Sequence, residues 1–185
     1  MLEAKIIVNE GTAIDKEISL LEREATTFAK QNWGKAIECL QKVKLLRDSE
    51  SFIPAFKSYL RLPEYLQRAG RIDEALIEFE DLIEKTQNHK FIFIQKSSYY
   101  TDELYQSICK QHEIVQLAAI YESMSKTYKR EKDIEKSQYY ANLQENYVNK
   151  AEKLFEKNNK QEAKLYQKHR KAIELKRQQR NKGNS

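Results

Sequence analysis

Metal ligation and nucleophilic catalysis need histidines, cysteines or carboxylates held at fixed spacing, so those residues come first. His89, His112 and His169 lie far apart in the chain. None belongs to a His-x-x-x-His pair that would present two imidazoles from one helix face. Cys39 and Cys109 each sit inside a helical pattern without a second thiol nearby. They read as buried free thiols in a reducing compartment. Glu78, Glu80, Asp81 and Glu84, with Arg71 and Lys85 beside them, have the spacing of a solvated helix face and not of an acid–base pair. The glycines are too dispersed to cradle a phosphate. These residues predict a protein without a catalytic centre, metal site or cofactor.

What remains is charge and apolar periodicity. Of 185 residues, 40% are apolar and 33% charged, with only 4 Gly and 2 Pro for turns. Glu, Lys, Gln, Leu and Ala dominate, and these favour helix. The net charge of +5 is uneven: residues 150 to 185 hold 12 Lys and Arg against 4 Glu, which leaves the preceding residues slightly acidic. No run approaches 18 apolar residues, so no membrane span is expected. The run Ile6 to Val8 is too short for the core of a signal peptide. The expected location is the cytoplasm.

Helical spacing begins at Asp15. Ile18, Leu21, Ala25 and Phe28 form one stripe, and after a break at Gln31–Asn32 a second holds Trp33, Ala36, Ile37, Leu40 and Val43. So short a turn forces the two helices antiparallel. RDSES, residues 47 to 51, reads as a loop. Tyr59, Leu62, Pro63 and Leu66 follow, ending at Gly70, and the pattern favours a helix kinked at Pro63 over a fresh helix beginning there. Ile72, Ala75, Phe79 and Leu82 form the next stripe. Phe93, Tyr100, Leu104 and Ile108 predict a helix through residues 90 to 111, because a lone FIFI strand would have nothing to pair with. Leu117, Ile120, Tyr121, Met124 and Tyr128 give another helix. A long last one starts at Ile134 with Tyr140, Leu143, Tyr147, Ala151, Leu154 and Phe155, and its stripe fades after Asn158–Asn159.

Three segments share an order: a Gly- or Asn-centred turn, an aromatic or Ile, a small residue three later, and a large one four after that. They are QNWGKAIECLQKV, RAGRIDEALIEFEDL and, more weakly, REKDIEKSQYYANL, where Ile134 fits but Ser137 replaces the Ala and Ala141 the large residue. Over about residues 15 to 145 this resembles the tetratricopeptide repeat, in which the small residue marks a close helix crossing. The resemblance implies an all-α, right-handed α-solenoid of about seven antiparallel helices ending in a long C-terminal helix. It divides the chain into an arm at 1–14, a repeat domain at 15–156 and a basic tail at 157–185. It also implies a concave groove lined by the first helix of each repeat, which places Arg23, Lys30, Arg61, Arg68, Lys126 and Arg130 against an acidic peptide or chain terminus of a protein partner. Where the family holds peptide backbone with Asn, this chain has Thr26, Glu64 and Lys126.

The tail offers a second class of partner. Lys164, Lys168, Arg170, Lys171, Lys176, Arg177 and Arg180 are among eight cations in residues 164 to 182, against one Glu. Such a segment is suited to phosphates of nucleic acid. Leu165, Ile173 and Leu175 are too few for a membrane-binding face. Tyr121, Tyr128, Tyr140 and Tyr147 keep core spacing, which assigns them to packing and not to base stacking.

Overall fold

The computed structural model describes residues 13–48, 55–92 and 94–183. Most of the expected N-terminal arm, the RDSES loop beyond Asp48, Pro54 and Phe93 lie outside these. The elements are α1 (Ala13–Phe28), α2 (Trp33–Asp48), a 3-10 turn (Phe56–Ser58), α3 (Arg61–Arg68), α4 (Ile72–Gln87), α5 (Asp102–Arg130) and α6 (Ile134–Gly183). Among the described residues the fold is all-helical, with no strand. None of these helices is long and apolar enough to cross a membrane. The chain divides into two compact units, residues 1–78 and 79–185.

In the first unit the apolar stripes meet as their spacing requires. Asn32 caps α2, its Oδ1 accepting the Lys35 amide at 3.1 Å, which satisfies one of the amides a helix start leaves without a partner. Ala25, Ile37, Cys39, Leu40, Leu62, Leu66 and Ala75 form one buried cluster, with Leu21, Phe28, Trp33 and Tyr65 packed at its edge. Ala25, Ala36 and Ala75 are all fully inaccessible to water. The small motif positions Ala36 and Ala75 therefore lie inside the packing, where a longer side chain would need room that close packing does not leave. Pro63 corrects the expectation of a kink. It is the third residue of α3, in the first turn where its missing N–H costs nothing, and the short 3-10 turn before it is a separate element.

The second unit departs further from its periodicity. The expected helix across residues 90 to 111 does not form at its N-terminal part. Residues 91, 92 and 94–100 are an irregular connection, and α5 is one helix of 29 residues where two were expected. Side chains hold the connection in place of a ladder. Gln116 Nε2 donates to the Phe91 carbonyl at 3.1 Å, and the Tyr105 hydroxyl to that of Ile94 at 3.4 Å. Thr101 then caps α5 through the Leu104 amide at 3.2 Å.

α5 and α6 pack as an antiparallel hairpin. At its turn Ser125 and Ser137 exchange hydroxyl-to-carbonyl bonds of 2.9 and 3.1 Å, so the Ser in the small motif position joins two close backbones. Tyr128 and Tyr140 stack with centroids 5.4 Å apart, and Tyr121 meets Tyr147 edge-on at 5.2 Å. Further along, the buried Asn158 accepts from the Ser107 hydroxyl at 2.7 Å and donates to Gln111 Oε1 at 2.9 Å. Asn158 is the last buried residue described on α6, so the apolar stripe fades where expected. Phe155, expected inward, is 53% exposed.

Three helices end in the same way. Gly70, His89 and Lys132 all have positive φ, at 77°, 58° and 63°. The amide after each returns to a carbonyl five residues back: Arg71 to Leu66 at 2.9 Å, Lys90 to Lys85 at 2.9 Å and Asp133 to Tyr128 at 3.0 Å. This is the Schellman turn, which glycine enters at no steric cost. A Cβ on Gly70 would meet nothing within 4 Å, so its penalty would be conformational alone. Gly70→Ala should lower unfolding stability by about 1 kcal/mol, and Lys132→Gly should raise it by up to about 1 kcal/mol, in urea denaturation.

The tyrosines give a second expectation. The hydrogen bond to Glu162, with burial adding to it, pushes the Tyr100 phenol up to about 12. Burial beside Tyr147 pushes Tyr121 up to about 12 as well. Both hold their protons more tightly folded than unfolded, where a phenol titrates near 10. Their stabilisation is complete below about pH 10 and is lost as pH rises towards 12. Stability measured across that window should fall more steeply in the wild type than in the Tyr100→Phe/Tyr121→Phe variant.

Candidate functional site

The cations assigned to a groove divide between the two units. Arg23 on α1, Lys30 in the turn after it, and Arg61 and Arg68 on α3 belong to the first; Lys126 and Arg130, at the end of α5, belong to the second. Within the first unit the structure brings α1 and α3 side by side. Arg61 Nη2 donates to the Glu22 carbonyl at 3.0 Å, to the Thr26 hydroxyl at 2.8 Å and to the Tyr65 hydroxyl at 3.3 Å. At the other end of α3 the Arg68 guanidinium lies over the Trp33 ring, 5.8 Å from its centroid. The start of α3 thus faces the second half of α1, and its end faces the start of α2. α3 therefore runs in the direction of α1.

The four cations of this surface have unequal freedom. Arg61 is a structural tie. Its guanidinium also stands 3.9 Å from Glu22 Oε1, which accepts Arg47 Nη2 at 2.6 Å. Arg47 is 5% exposed at its side chain and lies over Tyr59 at 4.7 Å. Glu22 therefore neutralises a buried arginine from α2 and joins it to the arginine of α3. Arg23, Lys30 and Arg68 are exposed, and Arg23 borders an open depression along α1 with Asp15, Lys16, Ser19 and Leu20. Trp33 meets Tyr65 edge-on at 5.2 Å, and Lys35 lies 5.6 Å from the Phe28 centroid. Aromatic edges and cations therefore alternate where α1, α2 and α3 converge.

No protein-family model, curated protein or solved structure matches the chain. The site is read from its geometry alone.

In the second unit Lys126 pairs with Glu122 one turn earlier at 2.5 Å. Between α5 and α6 an open cleft of about 310 Å³ is lined by Val115, Ala118, Ala119, Val148 and Ala151, with Glu122 and Glu152 at its rim. It is apolar and acidic where the α1–α3 surface is aromatic and basic. Among the described residues no three His, Cys, Asp or Glu side chains gather as a metal ion would require. Burial pushes the Cys39 thiol up, which keeps it protonated and unreactive. Of the tail residues, Lys164, Lys168, Arg170, Lys171, Lys176 and Arg177 are exposed along α6, and Arg180 lies on the same helix.

Sequence reasoning missed Glu22, Arg47 and Glu162, which fix positions without belonging to any motif. Glu162 accepts from both the Tyr99 and Tyr100 hydroxyls, at 3.2 and 2.6 Å, across more than sixty residues of chain. Stability separates the tied residues from the free ones. Glu22→Ala strands a buried arginine and should cost on the order of 2–3 kcal/mol. Arg23→Ala, one residue along the same helix, should stay within about 0.5 kcal/mol in the same denaturation measurement.

Proposed function

We propose that the protein is a non-enzymatic interaction module of tetratricopeptide-like helical hairpins, binding an acidic segment of another protein along the α1–α3 surface. The observation that carries this reading is the exposure of Arg23, Lys30 and Arg68 around a scaffold that Arg61 and Glu22 hold rigid. A fixed backbone leaves only side chains to order when a carboxylate arrives, and Arg presents a fork that fits it in two places. Trp33 beneath Arg68 adds an aromatic platform of the kind that anchors interfaces. The parallel course of α1 and α3 is the relation that the first helices of neighbouring repeats would have. Lys126 and Arg130 lie in the other unit, so the α1–α3 pair carries the proposal without them. Free buried thiols at Cys39 and Cys109 fit a reducing compartment, which is why the proposal places the protein in the cytoplasm.

An array of Asp- and Glu-rich peptides, each beside its Asn and Gln counterpart, tests the reading with labelled full-length protein. Binding should favour the carboxylate peptides. The Arg23→Gln/Lys30→Gln/Arg68→Gln variant should weaken it by about tenfold or more, as loss of several complementary charges does. Equal retention on the amide peptides, or binding unchanged in the triple variant, overturns the proposal.

A further inference from the structure

α6 is 50 residues long, about 75 Å at 1.5 Å per residue, while its partner α5 has 29. The last contacts holding α6 to its unit come from Tyr99, which meets Tyr166 at 5.7 Å and His169 at 5.8 Å. Beyond them the helix continues to Gly183, and residues 170–179 are all exposed. This end therefore projects about 20 Å as a single helix. So short a stretch is marginal alone in water, but here it propagates from a packed helix that has already been nucleated.

Its residues are chosen for neither packing nor a flat surface. Residues 170–183 hold Arg170, Lys171, Lys176, Arg177, Arg180 and Lys182 against one acid, Glu174. That acid pairs with Arg170 at 3.1 Å on the same helix. At about 100° per residue, Lys176 stands about 140° round from Lys171, and Arg177 and Arg170 follow at about 240° and 260°. Cations thus surround the helix. Ile173 and Leu175 fall on nearly opposite sides, about 160° apart, so no apolar stripe exists for a membrane or for a groove in another protein.

We propose that residues 170–183 of α6 form a DNA-binding arm that lies in the major groove of a B-form duplex. A helix about 10–12 Å across fits a groove about 12 Å wide, where phosphates stand on both walls. Only such a site offers anions to opposite sides of one helix together. A membrane or a flat acidic protein offers them to one. A-form RNA has a major groove too narrow and deep to admit a helix. Single strands are held by stacking on aromatics, and residues 170–183 contain none. Gln178, Gln179 and Asn181 lie between the cations and are the residue types whose amides read the adenine edge. This inference does not use the α1–α3 surface.

Fluorescence anisotropy of the full-length protein with a labelled 20-base-pair DNA duplex tests it. The competitors are the RNA duplex of the same sequence, either DNA strand alone, polyglutamate, and vesicles carrying anionic phosphatidylserine. The DNA duplex should bind tightest, and four phosphate contacts would weaken it about a hundredfold between 50 and 200 mM salt. Two full-length variants probe the geometry: Lys171→Gln on one side, Lys176→Gln/Arg177→Gln on the other. The first should lower the salt slope by about 1 and the second by about 2, because both walls are in contact. Dependence on one side alone means a flat surface and overturns the groove. Equal or tighter binding of RNA duplex, single strand, polyglutamate or vesicles overturns the choice of DNA, and absence of duplex binding at 50 mM salt overturns the proposal outright. Unchanged circular dichroism in both variants shows that the arm has lost charge and not helix.

Discussion

A helix can bury its apolar stripe against a neighbour only where it stops, and three of the described helices stop by sending a single residue into left-handed backbone space. Gly70, His89 and Lys132 each do so, and each turns an amide back onto the closing helix. The consequences run outward from these points. The turn at Gly70 sets α4 against α3 so that Ala75 reaches the buried cluster with Leu62 and Leu66. The turn at Lys132 starts α6 back along α5, and the pairing of Ser125 with Ser137 and of Tyr128 with Tyr140 follows from it. Only one of the three residues is glycine. At Lys132, packing gained by the α5–α6 hairpin outweighs about 1 kcal/mol of backbone strain.

Polar side chains do the remaining positioning. Glu22 joins α2 to α3 through two arginines, while Asn158 and Glu162 fasten α6 to α5 and to the connection before it. Glu22, Asn158 and Glu162 each meet partners within the protein, which offsets the cost of burying them. These contacts have directions, unlike apolar ones, so they fix the rotation of each helix about its axis. On the α1–α3 surface the same division of labour leaves one arginine fixed and its neighbours available to a partner.

The helices and much of the core were legible because period 3.6 is written in Leu, Ile, Ala and Phe. Ala25, Ala36, Ile37, Leu40, Leu62, Leu66, Ala75, Phe79, Leu104, Leu117, Ile120 and Met124 are buried as their spacing requires. Residues 91–100 were not legible. Helical spacing at Tyr100, Leu104 and Ile108 ran into the connection by coincidence, and what overrides it is the carbonyl of Phe91 accepting from Gln116 and two tyrosines converging on Glu162. Pro63 was ambiguous because a proline within a helical pattern fits either a kink or a first turn; the separate 3-10 turn decided it. Of the candidate site, charge and exposure at Arg23, Lys30 and Arg68 were readable. The capture of Arg61 was not, because nothing local links it to Glu22 or Thr26, more than thirty residues earlier.

The bare end of α6 has one more implication. Residues 170–179 are all exposed, so substitutions there leave the rest of the molecule almost untouched. Sequence drift in a packed helix is limited by what its neighbours tolerate. In this arm the only limit is what it touches outside the protein. Binding preference could therefore change, residue by residue, on a scaffold whose folding never registers the difference.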